Sequence, residues 1–215
     1  MRLVVLFHTL HAALFLAAPA APAAPAAPAA PAVLPLQPII DNGNFDYPAN
    51  PLKGWTVDYA DSGNSHYRDN KSRVSIVTDG ARKNVVQFGY NGAAGVKMEC
   101  RAFPIEKGFK YTCALDIKGG GYRIYFAGYQ FTPGVRPHEN PELAALRMVY
   151  QSKAATGASD QWQRETIELP GVSLSQQALE HLKKVRYLTV YIWMAKPGLV
   201  DNVVLTKTAD PAMNF

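Results

Sequence analysis

The sequence predicts an all-β sandwich or jelly roll, with one short helix. Three observations predict it. Short segments of alternating apolar and polar residues, rich in β-branched and aromatic side chains, follow one another beyond residue 40. Turn residues separate them at regular intervals. Only one stretch carries a helical period, and it is short.

The segments run as follows. Val74–Thr78 leads into Asp79-Gly80 as a turn, and 84–90 returns. Residues 95–103 run up to Pro104, and 109–118 run down from Gly108. Gly119, Gly120 and Gly121 then read as a turn before Tyr122–Phe131. Residues 146–154, 161–169, 185–194 and 199–206 complete the set. The helix begins at Ser173, where Gln176 completes a capping box, and Leu174, Ala178 and Leu182 form its apolar stripe.

The N-terminus has a different character. Met1-Arg2 is a short positive region, 3–17 is largely apolar, and Ala18-Pro19-Ala20 supplies small residues for cleavage. The apolar run falls short of the ~20 residues of a spanning helix. Residues 1–20 are therefore expected to be a signal peptide, with an uncleaved anchor as the alternative. Residues 21–36, dominated by Ala and Pro, favour extended polyproline II and form a semi-rigid spacer. Residues 37–210 remain for a single domain. A secreted, periplasmic or cell-surface location follows.

The chain has 215 residues, 48% of them hydrophobic, and a net charge of +5. Its basic residues are scattered, and Lys183-Lys184-Val185-Arg186 reads as a helix end followed by a strand start, so nucleic acid is not an expected partner. No H-E-x-x-H, G-x-S-x-G or phosphate-loop motif occurs. Asp116, Arg123 and Tyr125 fall on one outward face, but nothing in their spacing fixes a catalytic geometry. The reading is a protein that is not an enzyme.

The two cysteines, Cys100 and Cys113, flank the Pro104–Gly108 turn. If Phe103 pairs near Lys110, Cys100 lies opposite Cys113, each on an apolar face. In an exported protein this arrangement favours a disulfide, with two buried thiols as the alternative.

Several motifs in order resemble a known family. Asp41-Asn42-Gly43-Asn44-Phe45-Asp46 is followed by Lys53-Gly54-Trp55, then by 104–112, by Asp160-Gln161-Trp162-Gln163-Arg164-Glu165-Thr166, and by Val200-Asp201-Asn202-Val203-Val204-Leu205. The pattern covers residues 39–207 and resembles the galactose-binding-like jelly-roll carbohydrate-binding modules appended to bacterial xylanases and cellulases. The resemblance implies a non-catalytic module that recognises a polysaccharide or glycan. It also implies a structural Ca2+ tying the first segment to the last strand, and by motif its carboxylates are Asp46 and Asp201. Trp55 and Trp162, beside turns, read as core anchors.

Alternation places the ligand surface. Ile124 and Phe126 suit the core, leaving Arg123, Tyr125, Ala127 and Tyr129 on the other face. In the same way Leu188, Val190, Ile192 and Met194 leave Tyr187, Thr189, Tyr191 and Trp193 outward. Tyr125, Tyr129, Tyr191 and Trp193, with Arg123 and Tyr187, are the expected aromatic platform on the concave sheet. Ala127 and Thr189 would leave a groove between them. The alternative is that the 132–146 loop covers these rings and the domain is a structural or protein-interaction module of the cell envelope. Tyr59, His66, Tyr67 and Tyr90 suggest a second site at the loop ends.

Overall fold

The computed structural model describes residues 39–61, 63–171 and 174–213. The signal peptide and spacer expected over 1–36 lie outside the described residues, as does Ser173. The unit that carries the fold is Leu36–Phe215.

The strands are β1 (Trp55–Thr56), β2 (Val74–Asp79), β3 (Arg82–Phe88), β4 (Val96–Cys100), β5 (Phe103–Pro104), β6 (Phe109–Phe131), β7 (Leu146–Gln151), β8 (Ala155–Leu169), β9 (Tyr187–Met194) and β10 (Gly198–Ala209). They form an antiparallel sheet in the order β1-β4-β9-β6-β10-β3-β2, with β5 on β9 and β7 and β8 on β6. This is the all-β jelly-roll sandwich that the alternation predicts.

One strand belongs to both layers. The first half of β6 pairs with β10 and with the end of β8, and its second half pairs with β9 and β7. The glycines read as a turn do not reverse the chain. They bend β6, with φ at +126° for Gly119 and +69° for Gly121. A Cβ on Gly119 would sit 2.4 Å from the Gly198 Cα, so the bend passes directly against β10. β8 accompanies β6 across the bend, from Tyr111↔Leu169 to Ile124↔Ala155, and holds both halves in one strand.

The core lies between the layers. Val86, Phe88, Leu115, Ile117 and Leu205 from one side meet Met98, Ile124, Phe126, Val190 and Ile192 from the other, all fully buried. Trp55 joins them at 8% exposure, and its indole N–H donates to the Asn42 carbonyl. The helix α1 (Gln176–Leu182) is capped by Ser175, whose hydroxyl accepts from the Ala178 N–H. Leu182 is its buried residue.

The expected disulfide is not formed: Cys100 and Cys113 are both free and buried. The hairpin assumed for them does not exist. β4 pairs with β1 and β9, whereas Cys113 stands between Ile167 and Leu205. The thiols therefore belong to different layers. Burial pushes the Cys100 thiol up to about 12 and Cys113 further still. The Val190 N–H donates to Cys100 Sγ at 3.0 Å.

Candidate glycan-binding face

In the layer made by β4, β9 and the second half of β6, odd positions turn away from the core. Tyr191 lies opposite both Glu99 and Tyr125, Trp193 opposite Lys97 and Arg123, Thr189 opposite Ala127, and Tyr187 opposite Tyr129. All the residues expected for the ligand surface thus share one face. Tyr125 and Tyr191 stack with centroids 4.5 Å apart.

The face is not the open platform that was expected. Tyr125, Tyr129 and Tyr191 are only 7%, 6% and 8% exposed, and the space above Ala127 and Thr189 is filled. Trp193 and Tyr187 are half-buried, and Arg123 is exposed. Two segments do the covering. Leu143 and Leu146 pack on the Tyr129 end, as does Phe131, whose ring meets Tyr187 edge-on. The segment between β1 and β2 brings Tyr59 and Tyr67 over the centre. These residues, with His66, form part of this face and not a second site at the loop ends. Tyr90, 62% exposed, stands apart from the packed cluster.

A buried polar knot sits at the centre. Glu99, 1% exposed, accepts from the Tyr59 hydroxyl at 3.3 Å, the Tyr129 hydroxyl at 2.5 Å and the Thr189 hydroxyl at 3.0 Å. Lys97 Nζ lies 3.5 Å from Glu99, and 3.9, 4.7 and 5.3 Å from the ring centres of Tyr59, Tyr67 and Tyr191. Burial lowers the Lys97 ammonium, with Glu99 opposing the shift. Burial raises Tyr59, Tyr125, Tyr129 and Tyr191 well above the ordinary phenol range, and the Glu99 charge adds to each. These phenols stay neutral and work as hydrogen-bonding groups. Lys97 and Glu99 were missed in the sequence, although alternation with Val96, Met98 and Cys100 already set them on this face.

The segment is fastened by Asn70, which is fully buried. Its amide donates to the carbonyls of Val57 and Lys97 at 2.8 and 2.7 Å, and its Oδ1 accepts from the Lys97 N–H at 2.8 Å. The knot divides the face into two hollows. One, of about 850 Å³, is lined by His66, Tyr67, Asn91, Arg123, Tyr191 and Trp193 among others. The other, of about 980 Å³, lies over Lys97, Glu99 and Tyr129 and reaches Arg101, Asp61 and Glu142.

The residues expected to hold Ca2+ do not fit a shared calcium site. The Asp46 carboxylate accepts from the amides of Asn44 and Asn84, both at 2.7 Å. Asp201 is held by the Arg82 guanidinium at 3.0 Å, and that same guanidinium reaches Asp116 at 2.7 Å. Asp201 is thus drawn to Asp116 by an arginine, apart from the amides that hold Asp46. Among the described residues no group of three or more His, Cys, Asp or Glu side chains gathers to hold a metal. The first segment meets the last strand by backbone contact: the Val203 N–H donates to the Gly43 carbonyl at 2.8 Å. Any Cβ at Gly43 would overlap the Val203 carbonyl. Trp162 is no core anchor either. It is half-buried on the outer face, stacks on Arg82 at 4.3 Å and donates to Asp79.

No family model and no curated protein matches the chain. Its fold is similar to solved carbohydrate-binding modules. The CBM22-1–GH10 modules of a Clostridium thermocellum endo-1,4-beta-D-xylanase, complexed with xylohexaose, align at 12% identity and a TM-score of 0.44. That alignment covers 79% of this chain and 28% of the other. A CBM4 module aligns at 14% identity and 0.43, covering 79% and 99%. The module TmCBM61 with beta-1,4-galactotriose aligns at 15% and 0.40, covering 80% and 99%. The chain spans less than a third of the xylanase chain and nearly all of the other two. Likeness at this level carries no argument about function. Among the described residues no helix is long and apolar enough to cross a membrane.

Proposed function

We propose that this protein binds a polysaccharide or glycan on the face described above and performs no chemistry on it. The observation that carries the reading is the hollow beside Trp193. Aromatic walls from Trp193, Tyr191, Tyr125 and Tyr67 meet the polar groups of Asn91, Gln151, His66 and Arg123. Flat apolar walls with a few placed polar groups suit a sugar ring and its hydroxyls. The non-catalytic part rests on Glu99. A general acid or base must reach its substrate, and this carboxylate is buried and engaged by three hydroxyls and an ammonium. Export through the leader at the N-terminus belongs with this reading.

The test is binding of the full chain to a glycan array and to insoluble polysaccharides, wild type against Trp193→Ala. Loss of more than about tenfold in affinity is expected, since a central aromatic carries much of such an interface. A cooperative melt in both proteins certifies the fold. A folded wild type that binds nothing on a broad panel sinks the reading and leaves a protein partner of the cell envelope.

A further inference from the structure

We infer that the hollow beside Trp193 selects an anionic sugar unit, a uronate or a sulfate ester, flanked by neutral ones; this rests on the glycan-binding reading above. The inference starts from how the arginines are used. On the opposite layer, Arg82 holds Asp116 and Asp201, and Arg164 holds Asp116. Arg123 has no such partner. Among the described residues it makes no ion pair, and its guanidinium lies 5.5 Å over the Trp193 ring. That stacking holds an exposed, permanently charged fork above the hollow. A guanidinium matches a carboxylate or a sulfate through paired N–H donors.

The charge along the face adds the second half. The ionisable neighbours of Arg123 in its hollow are His66, Asp69 and the tyrosines, of which Tyr125 and Tyr191 are held neutral by burial. The other hollow holds Asp58, Asp61, Glu99 and Glu142 against Lys97 and Arg101. An anion is therefore favoured at the Arg123 end and repelled beyond the knot. From Trp193 to Tyr187 the strand runs about 20 Å. A chain charged at every unit would place anions over the acidic hollow, whereas one with an isolated acidic unit would not.

The test measures affinity of the full-length protein for glucuronoxylan, its carboxyl-reduced form, polygalacturonate and a sulfated glycan. Wild type is compared with Arg123→Gln and Trp193→Ala. Expected is a loss of about 10- to 100-fold for Arg123→Gln on the acidic glycan, the range of a charged hydrogen bond, and a clearly smaller loss on the reduced form, where only a hydroxyl contact goes. Polygalacturonate is expected to bind more weakly than glucuronoxylan. An Arg123-dependent preference for the sulfated glycan over glucuronoxylan would identify sulfate as the anion. Equal affinity for native and reduced forms, lost in Trp193→Ala but kept in Arg123→Gln, overturns this inference and leaves glycan binding standing. Tightest binding to polygalacturonate overturns the flanking-neutral part. No binding to any of them by a folded wild type removes both readings.

Discussion

Tyr125, Tyr129 and Tyr191 show how a side chain can lie on the expected face and still not be surface. Period-two alternation fixes which side of a sheet a residue points to, and nothing more. Whether another segment lies above it depends on residues far away in the chain, here Tyr59, Tyr67 and Leu143. The covering has a measurable consequence. These phenols, with Tyr59 and the thiols of Cys100 and Cys113, all have folded pKa values raised by burial. Their protonated forms are favoured in the fold, so the stability they contribute is complete below the unfolded pKa values and is lost as pH rises through them. Lys97, lowered by burial, works in the opposite direction but is a single group. Melting temperature should hold steady to about pH 8.5, then fall steeply above about pH 10, where each buried phenol costs about 1.4 kcal/mol per pH unit. Exposed Tyr47, lowered by its hydrogen bond with Lys53, should ionise in the folded protein, whereas the tyrosinate absorbance of the buried phenols should rise only with unfolding. Titration of these phenols in the folded protein would contradict the packing.

Among the elements, the segment between β1 and β2 has little regular structure and a large effect on the site. It contains only short 3-10 turns, at Ser65–Tyr67 and Lys71–Arg73. Its position comes from Asn70 and Lys97, not from strand pairing. Asn70→Ala removes three hydrogen bonds and leaves two carbonyls and an N–H unsatisfied. A loss of about 2–3 kcal/mol in stability is expected from thermal or denaturant melts. Faster amide exchange confined to 57–73 should accompany it, together with weaker glycan binding as the wall over Tyr191 loosens. A variant that melts like the wild type would show the segment to be held by other contacts. The bend in β6 is the second decisive element, because it carries one strand from the core-forming half of one layer to the ligand-facing half of the other.

At the scale of the molecule, three sets of protein contacts tie the layers and their closing segment. Gly43 sits against Val203, the Asn42 amide donates to the carbonyls of Pro51 and Lys53, and Arg82 draws Asp116 and Asp201 together. With Asp201 engaged by Arg82 and Asp46 by the amides of Asn44 and Asn84, chelator should leave the melting temperature unchanged. Arg82→Ala should lower stability by about 2 kcal/mol, because Asp201 is 5% exposed and loses its ion-pair partner. A melting temperature raised by added calcium and lowered by chelator would return the ion to this position.

The sequence by itself determined the all-β class, most of the strand positions, the helix and the inward and outward faces. All of these follow from local dihedral preference and period, which neighbours in the chain dictate. Tertiary structure alone decided that 119–121 bends a continuous strand, because β8 pairs with both halves at once. It also decided that Cys100 and Cys113 lie in different layers, since a strand's partner is set by topology and not by the nearest turn. The site divides in the same way. Arg123, Tyr125, Tyr129, Tyr187, Tyr191 and Trp193 were legible as one face. The knot of Lys97 and Glu99 that fills its centre, and leaves the Arg123 end open, exists only because loop and sheet residues up to 90 positions apart meet there.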